Sequence, residues 1–486
     1  MLTEPGHARA GLYHQLAIVS NRLPVTLTEE DSGEWKVTAG AGGLVTALYP
    51  ILRKNRGLWI GWPGVTTDGN LDELLAATSS ELGFELKSLQ LTSKEFKDYY
   101  LGFSNEILWP LLHGFPSRCN FDPSYWATYQ SVNRKFARIV AANTATDDFV
   151  WVQDYHLILV AEALRKTGIE RGIGFFLHTP FPSLDTCIRL PWHSQILRGL
   201  LQYDLVGFQT IRDRNNFLHC VKTLLKGLNF DARKRTSTVT IEGREVEVGV
   251  FPISIDYNEF ASEAADEKVT KHVNLLKQAL SNRKVILGVE RLDYSKGIPE
   301  RLKAFRNALS RFPDLIGNVT YIQIVVPSRA EIPEYRNVKS EIQQLVSEIN
   351  GKYTQPGWVP VHYMFRSLKR SELLAYYQAA DIALITPLID GMNLVAKEYC
   401  AANISGKGVL ILSRFAGTAY QLGKYSLLVN PYDIEGVADA IYRAYTMDED
   451  ERRLRMLRLR KSIKNNDIFW WANAFLTASA KTSSPS

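Results

Sequence analysis

The chain has 486 residues, too many for one ordinary hydrophobic core, so two domains are expected. Its 45% apolar and 22% charged residues are the balance of a globular chain and exclude a fibrous or largely disordered one. The net charge of +6, from 57 basic and 51 acidic residues, suits either phosphorylated substrates or an ordinary solvated surface. No Lys/Arg cluster interleaved with aromatics points to nucleic acid.

Residues 1 to about 13 and those beyond about 481 read as frayed ends. Between them, short apolar runs alternate with helical patterns. Strands are predicted at 16–19, 149–152, 173–177, 205–208 and 248–251 in the first half. The second half has strands at 285–289, 321–325, 361–364, 382–385, 409–412 and 427–429. Continuous apolar strands separated by helices predict parallel sheets covered on both faces. The chain turns polar near Pro252 to Asp266, which sets the expected domains at 1–256 and 257–462. Residues 463–480 are expected as a helix returning to the first domain. The fold class is therefore α/β, with two Rossmann-like doubly wound domains facing across a cleft. Ligands of such sheets sit at the C-terminal strand ends.

The most informative stretch is Asp390-Gly-Met-Asn-Leu-Val-Ala-Lys-Glu398, directly after the strand run 382–389. Met392, Val395, Ala396 and Tyr399 give it helical spacing. Gly391 lets backbone N–H groups approach a ligand, and a helix N-terminus favours an anion such as a pyrophosphate. Asp390 and Glu398 add carboxylates for sugar or ribose hydroxyls. A second anchor, Glu290-Arg-Leu-Asp-Tyr-Ser-Lys-Gly-Ile-Pro299, follows the strand 285–289. It puts Arg291 and Lys296 in a strand-to-helix loop, where they can stabilise a departing diphosphate. A surface ion pair is the competing reading of those two residues.

In the first half, Ser20-Asn-Arg-Leu-Pro24 places Arg22 at a strand end, and Gly42 and Gly43 precede a helix. The pair of glycines taken alone reads as a plain turn. Trp151-Val-Gln-Asp-Tyr-His156 and Phe175-Phe-Leu-His-Thr-Pro-Phe-Pro182 put Asp154 and His178 at successive strand ends. Aromatic-rich Asp98 to Pro110 either lines a sugar site or packs the core. Arg329 follows the strand 321–325 as a further phosphate ligand. Asp448-Glu-Asp450 is a literal D-x-D, but the basic run after it reads as a helix that matches its dipole. The nine histidines show no ligand spacing, so no metal site is expected.

Four cysteines, Cys119, Cys187, Cys220 and Cys400, lie far apart and read as reduced thiols. No leader pattern opens the chain, and no apolar run nears the roughly 20 residues that span a bilayer. A cytoplasmic protein with no membrane association is expected, and self-association is left open.

These motifs together resemble those of the trehalose-6-phosphate synthases, retaining GT-B glycosyltransferases, over roughly residues 14 to 475. The matching markers are Ser20-Asn-Arg, Ala41-Gly-Gly-Leu, Gly61-Trp62, Phe103-Ser-Asn-Glu-Ile-Leu-Trp-Pro, Asp154-Tyr-His, Phe175-Phe-Leu-His, Val206-Gly-Phe-Gln-Thr210 and the two anchors above. The resemblance implies transfer of glucose from UDP-glucose to glucose 6-phosphate with retention, releasing UDP, with no cofactor and no metal. It implies that Arg22, Tyr100, Trp109, Asp154 and Arg329 hold the acceptor. It implies that His178, Arg291, Lys296, Asp390 and Glu398 hold the donor, with the backbone of Gly391, Met392, Asn393, Leu394 and Val395 lining the site. Gly42 and Gly43 would close over the donor, and Leu368 stands where some relatives carry a Phe near the base. Arg291, Lys296, Asp154 and His178 are the implied catalytic set. Two other readings stay open: a sibling transferase with another phosphorylated acceptor, and a non-catalytic sugar-phosphate sensor.

Overall fold

Seventeen strands are present among the described residues, which in this computed structural model are 15–29, 35–40, 43–66, 71–232, 236–281, 283–329 and 332–482. The chain divides into two units, Met1–Ile253 with Ile468–Ser486 and Ser254–Asp467. In the first unit the strands are β1 (Leu16–Arg22), β2 (Val25–Glu29), β3 (Trp35–Ala39), β4 (Leu58–Trp62), β5 (Glu85–Ser88), β6 (Phe149–Gln153), β7 (Ile173–Leu177), β8 (Leu205–Phe208), β9 (Leu228–Ala232), β10 (Thr236–Ile241) and β11 (Arg244–Val250). The second has β12 (Lys284–Arg291), β13 (Val319–Val326), β14 (Val361–Phe365), β15 (Ile382–Ile385), β16 (Val409–Ser413) and β17 (Leu427–Val429).

The first unit's main sheet has the order β5-β4-β1-β6-β7-β8-β11-β10-β9. Its strands pair in parallel from β5 to β11, and the apolar runs of the central strands β6, β7 and β8 fit a sheet covered on both faces. The far edge differs from the all-parallel expectation: β10 runs antiparallel to β9 and β11. That edge alternates half-buried and buried residues along β10, the mark of a sheet with one wet face. Chain order runs outward from β1 to β4 and β5 on one side, then from β6 onward on the other. The topological switch point therefore lies between β1 and β6.

The final helix, Ile468–Thr482, clusters with this unit. Trp471 and Phe475 are fully buried on it. Their rings lie 4.8 and 4.4 Å from that of Trp151 on β6, and the Trp471 Nε1–H donates to the Phe251 carbonyl at 3.1 Å. Ile463 belongs to the preceding helix, Glu449–Asn465, whose N-cap Asp448 accepts from the Glu451 N–H. The acidic triplet at 448–450 is thus the start of a helix.

The second unit's sheet, β14-β13-β12-β15-β16-β17, is parallel throughout. Its switch point lies between β12 and β15. Both loops that carry the strongest sequence motifs leave the sheet there.

Candidate active site

Two groups of side chains stand at strand ends, one group in each unit. In the first, β1 ends in a tightly held turn. The Ser20 hydroxyl donates to the Arg22 carbonyl at 2.6 Å and accepts from Trp59 Nε1 at 2.7 Å. Asn21 is buried and accepts from the Tyr99 hydroxyl at 2.8 Å. Arg22 is left exposed, its guanidinium carbon 4.7 Å from the centre of the Trp62 ring and 5.8 Å from that of Tyr100. Stacking fixes the plane of the guanidinium while leaving its donors outward. Gly64, at φ +91°, makes room: a Cβ there would lie 2.8 Å from an Arg22 terminal nitrogen.

Tyr100 continues the stack, 5.5 Å from Phe96 and 6.0 Å from the near-parallel His156 ring. It sits on a π-helix, Phe96–Leu108, in the segment that the sequence left between sugar-lining and core-packing readings. Such helices are mostly single turns and occur at functional sites. Asn105 secures this one, donating to the Tyr100 carbonyl at 2.6 Å and accepting from the Tyr155 hydroxyl at 3.1 Å. Trp109, at its end, is 6% exposed and packs 4.1 Å from His113.

Asp154, just past β6, has φ 71° and ψ 169°, a conformation that essentially only glycine tolerates. The surroundings enforce it. Its N–H donates to the Phe176 carbonyl at 2.8 Å, and its Oδ1 accepts from the His178 N–H at 3.2 Å. Behind it, the helix Pro123–Asn143 grips the turn: the Tyr129 hydroxyl donates to the Tyr155 carbonyl and the Asn133 amide donates to that of His156.

His178 is 3% exposed, and its Nε2 lies 2.9 Å from Gln153 Oε1. Gln153 Nε2 donates to the Trp151 carbonyl, so its oxygen faces the imidazole and Nε2 of His178 carries the proton. Nδ1 is then an acceptor, buried and without a hydrogen-bond partner among the described residues. Burial pushes the imidazole down to about 3, so the ring is neutral at pH 7.

In the second unit, Arg291 is the exposed last residue of β12. The chain then makes a 3-10 turn, Tyr294–Lys296, capped by Asp293, which accepts from the Ser295 N–H at 2.9 Å. The Ser295 carbonyl accepts from the Leu388 and Ile389 N–H groups at 2.8 and 3.3 Å. Gly297, at φ +63°, closes the turn against the segment after β15, where a Cβ would lie 2.7 Å from the Thr386 carbonyl oxygen. The two loops are thereby one rigid piece. Across it the Lys296 ammonium meets Asp390 Oδ2 at 2.6 Å, both side chains 10% exposed.

Asp390 also accepts from the Met392 N–H at 3.1 Å and from the Asn393 amide at 3.2 Å. Asn393, left-handed at φ 64°, caps the helix Leu394–Ala402 by accepting from the Ala396 N–H. Two corrections follow. Met392 lies before the helix rather than on its face, and Asn393 already takes one of the N-terminal amides expected to meet an anion. Gly391 and Leu394 are buried, and Val395 is half-buried. Glu398 accepts from the Tyr377 hydroxyl at 2.8 Å, and desolvation raises its carboxyl above the usual range. Leu368 is half-buried between β14 and the helix Arg370–Ala379.

Arg329, at φ 46°, belongs to this second unit, whereas the other expected acceptor ligands belong to the first. It donates to the Tyr335 hydroxyl at 2.7 Å and lies 3.9 Å from Asp293 Oδ2. Gly42 lies outside the described residues, and Gly43 begins the helix Gly43–Asn55. Trp62, His156 and Gln153 are site neighbours that no sequence argument selected. Trp62 and His156 enter only within the markers Gly61-Trp62 and Asp154-Tyr-His, and Gln153 only within the run Trp151 to His156.

Residues 14–481 match the sequence model of glycosyltransferase family 20. The trehalose-6-phosphate synthase of Mycobacterium tuberculosis is 40% identical over 471 residues, spanning 95% of this chain and 94% of that one. An α,α-trehalose-phosphate synthase (UDP-forming) of Aspergillus niger is 39% identical over 97% of this chain and 98% of that one. Among solved structures, the Escherichia coli protein bound with UDP-2-fluoro glucose superposes with a TM-score of 0.86 at 37% identity, covering 96% of this chain and 99% of that one. The α,α-trehalose-phosphate synthase (UDP-forming) of Burkholderia xenovorans, in complex with glucose 6-phosphate, does so at 0.86 and 33% identity, covering 96% and 100%.

Proposed function

The chain belongs to glycosyltransferase family 20, and from that premise we propose how its two GT-B domains, both Rossmann-like, divide one reaction. The reaction is transfer of glucose from UDP-glucose to the anomeric hydroxyl of glucose 6-phosphate with retention, giving α,α-trehalose 6-phosphate and UDP. The observation that carries the reading is the Lys296–Asp390 pair at the second unit's switch point, with Arg291 at the end of the strand that leads into the Lys296 turn. A cation there neutralises the charge that builds on a departing diphosphate. The carboxylate beside it accepts from sugar hydroxyls.

In this reading Arg291 and Lys296 clamp the donor diphosphate. Asp390 holds the glucosyl hydroxyls, with the backbone of 391–395 against it, and Glu398 takes the ribose. His178, neutral and with Nδ1 as an acceptor, receives a hydroxyl of the donor sugar. Arg22, held flat by Trp62 and Tyr100, takes the acceptor phosphate together with Tyr100, and Trp109 borders the acceptor. Asp154 accepts from acceptor hydroxyls, and Arg329 is the remaining phosphate ligand. Gly43, with Gly42, closes over the donor, and Leu368 lies by the base.

The donor's own β-phosphate oxygen takes the acceptor proton while an oxocarbenium-like state forms. The protein works by positioning and charge stabilisation, with no carboxylate acting as nucleophile. No helix among the described residues is long and apolar enough to cross a membrane. Four free cysteines support a reducing, cytoplasmic setting.

The test is incubation with UDP-glucose and a panel of phosphorylated acceptors, with products identified by mass. UDP and a disaccharide phosphate from glucose 6-phosphate are expected. UDP release with glycerol 3-phosphate or a cyclitol phosphate instead would favour the sibling transferase, and binding without turnover would favour the sensor.

A further inference from the structure

Below the Lys296 turn lies a buried cation that the reaction just described does not use. Arg301 is on the first turn of the helix Ile298–Arg311, which starts directly after Gly297. Its side chain is wholly buried, and each guanidinium nitrogen has an oxygen partner. Nε donates to the Thr386 hydroxyl at 3.0 Å. One terminal nitrogen donates to Glu290 Oε2 at 2.6 Å and to Gln323 Oε1 at 3.3 Å. The other lies 2.6 Å from Glu290 Oε1 and donates to the Lys296 carbonyl at 3.2 Å.

Those partners come from four places: the end of β12, the middle of β13, the 3-10 turn and the segment leaving β15. One planar fork thus spans the switch point and fixes the turn against both neighbouring strands. Burying a charge pair costs desolvation that well-packed apolar side chains avoid, so a purely structural role is poorly served by it. What an apolar core cannot supply is direction. The Lys296 carbonyl and the Thr386 hydroxyl are held by donors at set angles.

We propose that Arg301 is a positioning residue for the donor clamp, holding the Lys296 turn and the segment after β15 in the register that brings Lys296 onto Asp390. The proposal rests on the assignment of Lys296 to the donor diphosphate. Arg301 touches no substrate and acts through the Lys296 backbone.

The experiment measures UDP affinity by calorimetry and initial rates with each substrate varied. It uses the full chain as wild type, Arg301→Lys, Thr386→Val and the double variant Glu290→Met/Arg301→Met. The double variant removes both buried charges together, so no orphaned carboxylate unfolds it, and Thr386→Val is the mildest change. A melting transition for each establishes folding. The expected result is weaker UDP binding and a higher KM for UDP-glucose by about tenfold in Arg301→Lys and in the double variant, since small misplacements of a clamp are costly. Thr386→Val shifts both in the same direction by less, and KM for glucose 6-phosphate stays at the wild-type value in all three. Folded variants with wild-type UDP affinity and donor KM would overturn the proposal. So would equal losses for both substrates that track the melting temperature. Failure of the wild type to release UDP with glucose 6-phosphate is a different result: it sinks the assigned reaction, while UDP binding still reads the clamp.

Discussion

Lys296 and Asp390 stand 94 residues apart in the chain and meet at 2.6 Å, each at the end of one of the two strands that flank the second unit's switch point. The pair is nearly buried, so its members depend on each other. Lys296→Met strands the Asp390 carboxylate and is expected to cost about 3 kcal/mol of stability. Adding Asp390→Asn removes the stranded charge and restores most of that loss. Turnover is not restored, because the diphosphate still lacks its cation: kcat falls by roughly 100-fold or more in both variants. Denaturant melts beside single-turnover rates separate the two effects. A double variant that regains activity along with stability would show that the pair only holds the loops.

Arg22 presents its guanidinium from a stack on Trp62 and Tyr100, which a lysine cannot reproduce. Arg22→Lys keeps the charge but loses the fork and the stack, each set by geometry. The expected loss is about 1.5–3 kcal/mol, a tenfold or greater rise in KM for glucose 6-phosphate. KM for UDP-glucose should not move. Equal changes in both constants would point to a role for Arg22 in holding the Trp62 turn instead.

Asp154 keeps a conformation that suits glycine, which stores strain where an acceptor ligand is proposed. Asp154→Ala removes the carboxylate and leaves the strain. Asp154→Gly removes both, at some cost in unfolded-chain entropy. The glycine variant should therefore be more stable than the alanine variant by about 1 kcal/mol, while neither turns over glucose 6-phosphate. Chemical melts of the two proteins decide the point. An alanine variant as stable as the glycine one would show that the backbone relaxes there at no cost.

The parallel sheets were legible because buried strands leave unbroken apolar runs, and 173–177, 205–208, 382–385 and 427–429 coincide with β7, β8, β15 and β17. Strand β5, Glu85-Leu-Lys-Ser88, alternates polar and apolar over four residues and gave no such run. The π-helix at 96–108 escaped because its register departs from the 3.6-residue period that helical patterns are read by. At the site, position was legible and partnership was not. Arg291, Lys296 and Asp390 could be placed at strand ends from their motifs. That Lys296 pairs with Asp390 depends on loops closing across the switch point, whereas the Asn393 cap is a local bond to the Ala396 N–H that its place before the helix could have signalled. Arg301 was hidden for the same reason: on a helix with Leu302, Phe305 and Leu309 as its apolar face, a charged residue reads as solvated.

His178 links the site to stability through protons. Burial lowers its imidazole from 6.5 to about 3, so below pH 6.5 the unfolded chain takes up a proton that the folded protein refuses. Stability is full above pH 6.5 and falls by about 1.4 kcal/mol per pH unit below it, levelling near pH 3, about 4–5 kcal/mol in all. Asp213, whose buried carboxyl is raised by desolvation and receives the Phe181 N–H, titrates in the opposite sense. The readout is therefore a difference. His178→Gln removes the imidazole and should be less sensitive to acid than wild type between pH 6.5 and 4.5, by about 2–3 kcal/mol over that span. Urea melts across those pH values test it. Parallel profiles for the two proteins would mean that the folded state admits the proton, by opening or by a water at Nδ1, and that His178 is not held neutral as its surroundings imply.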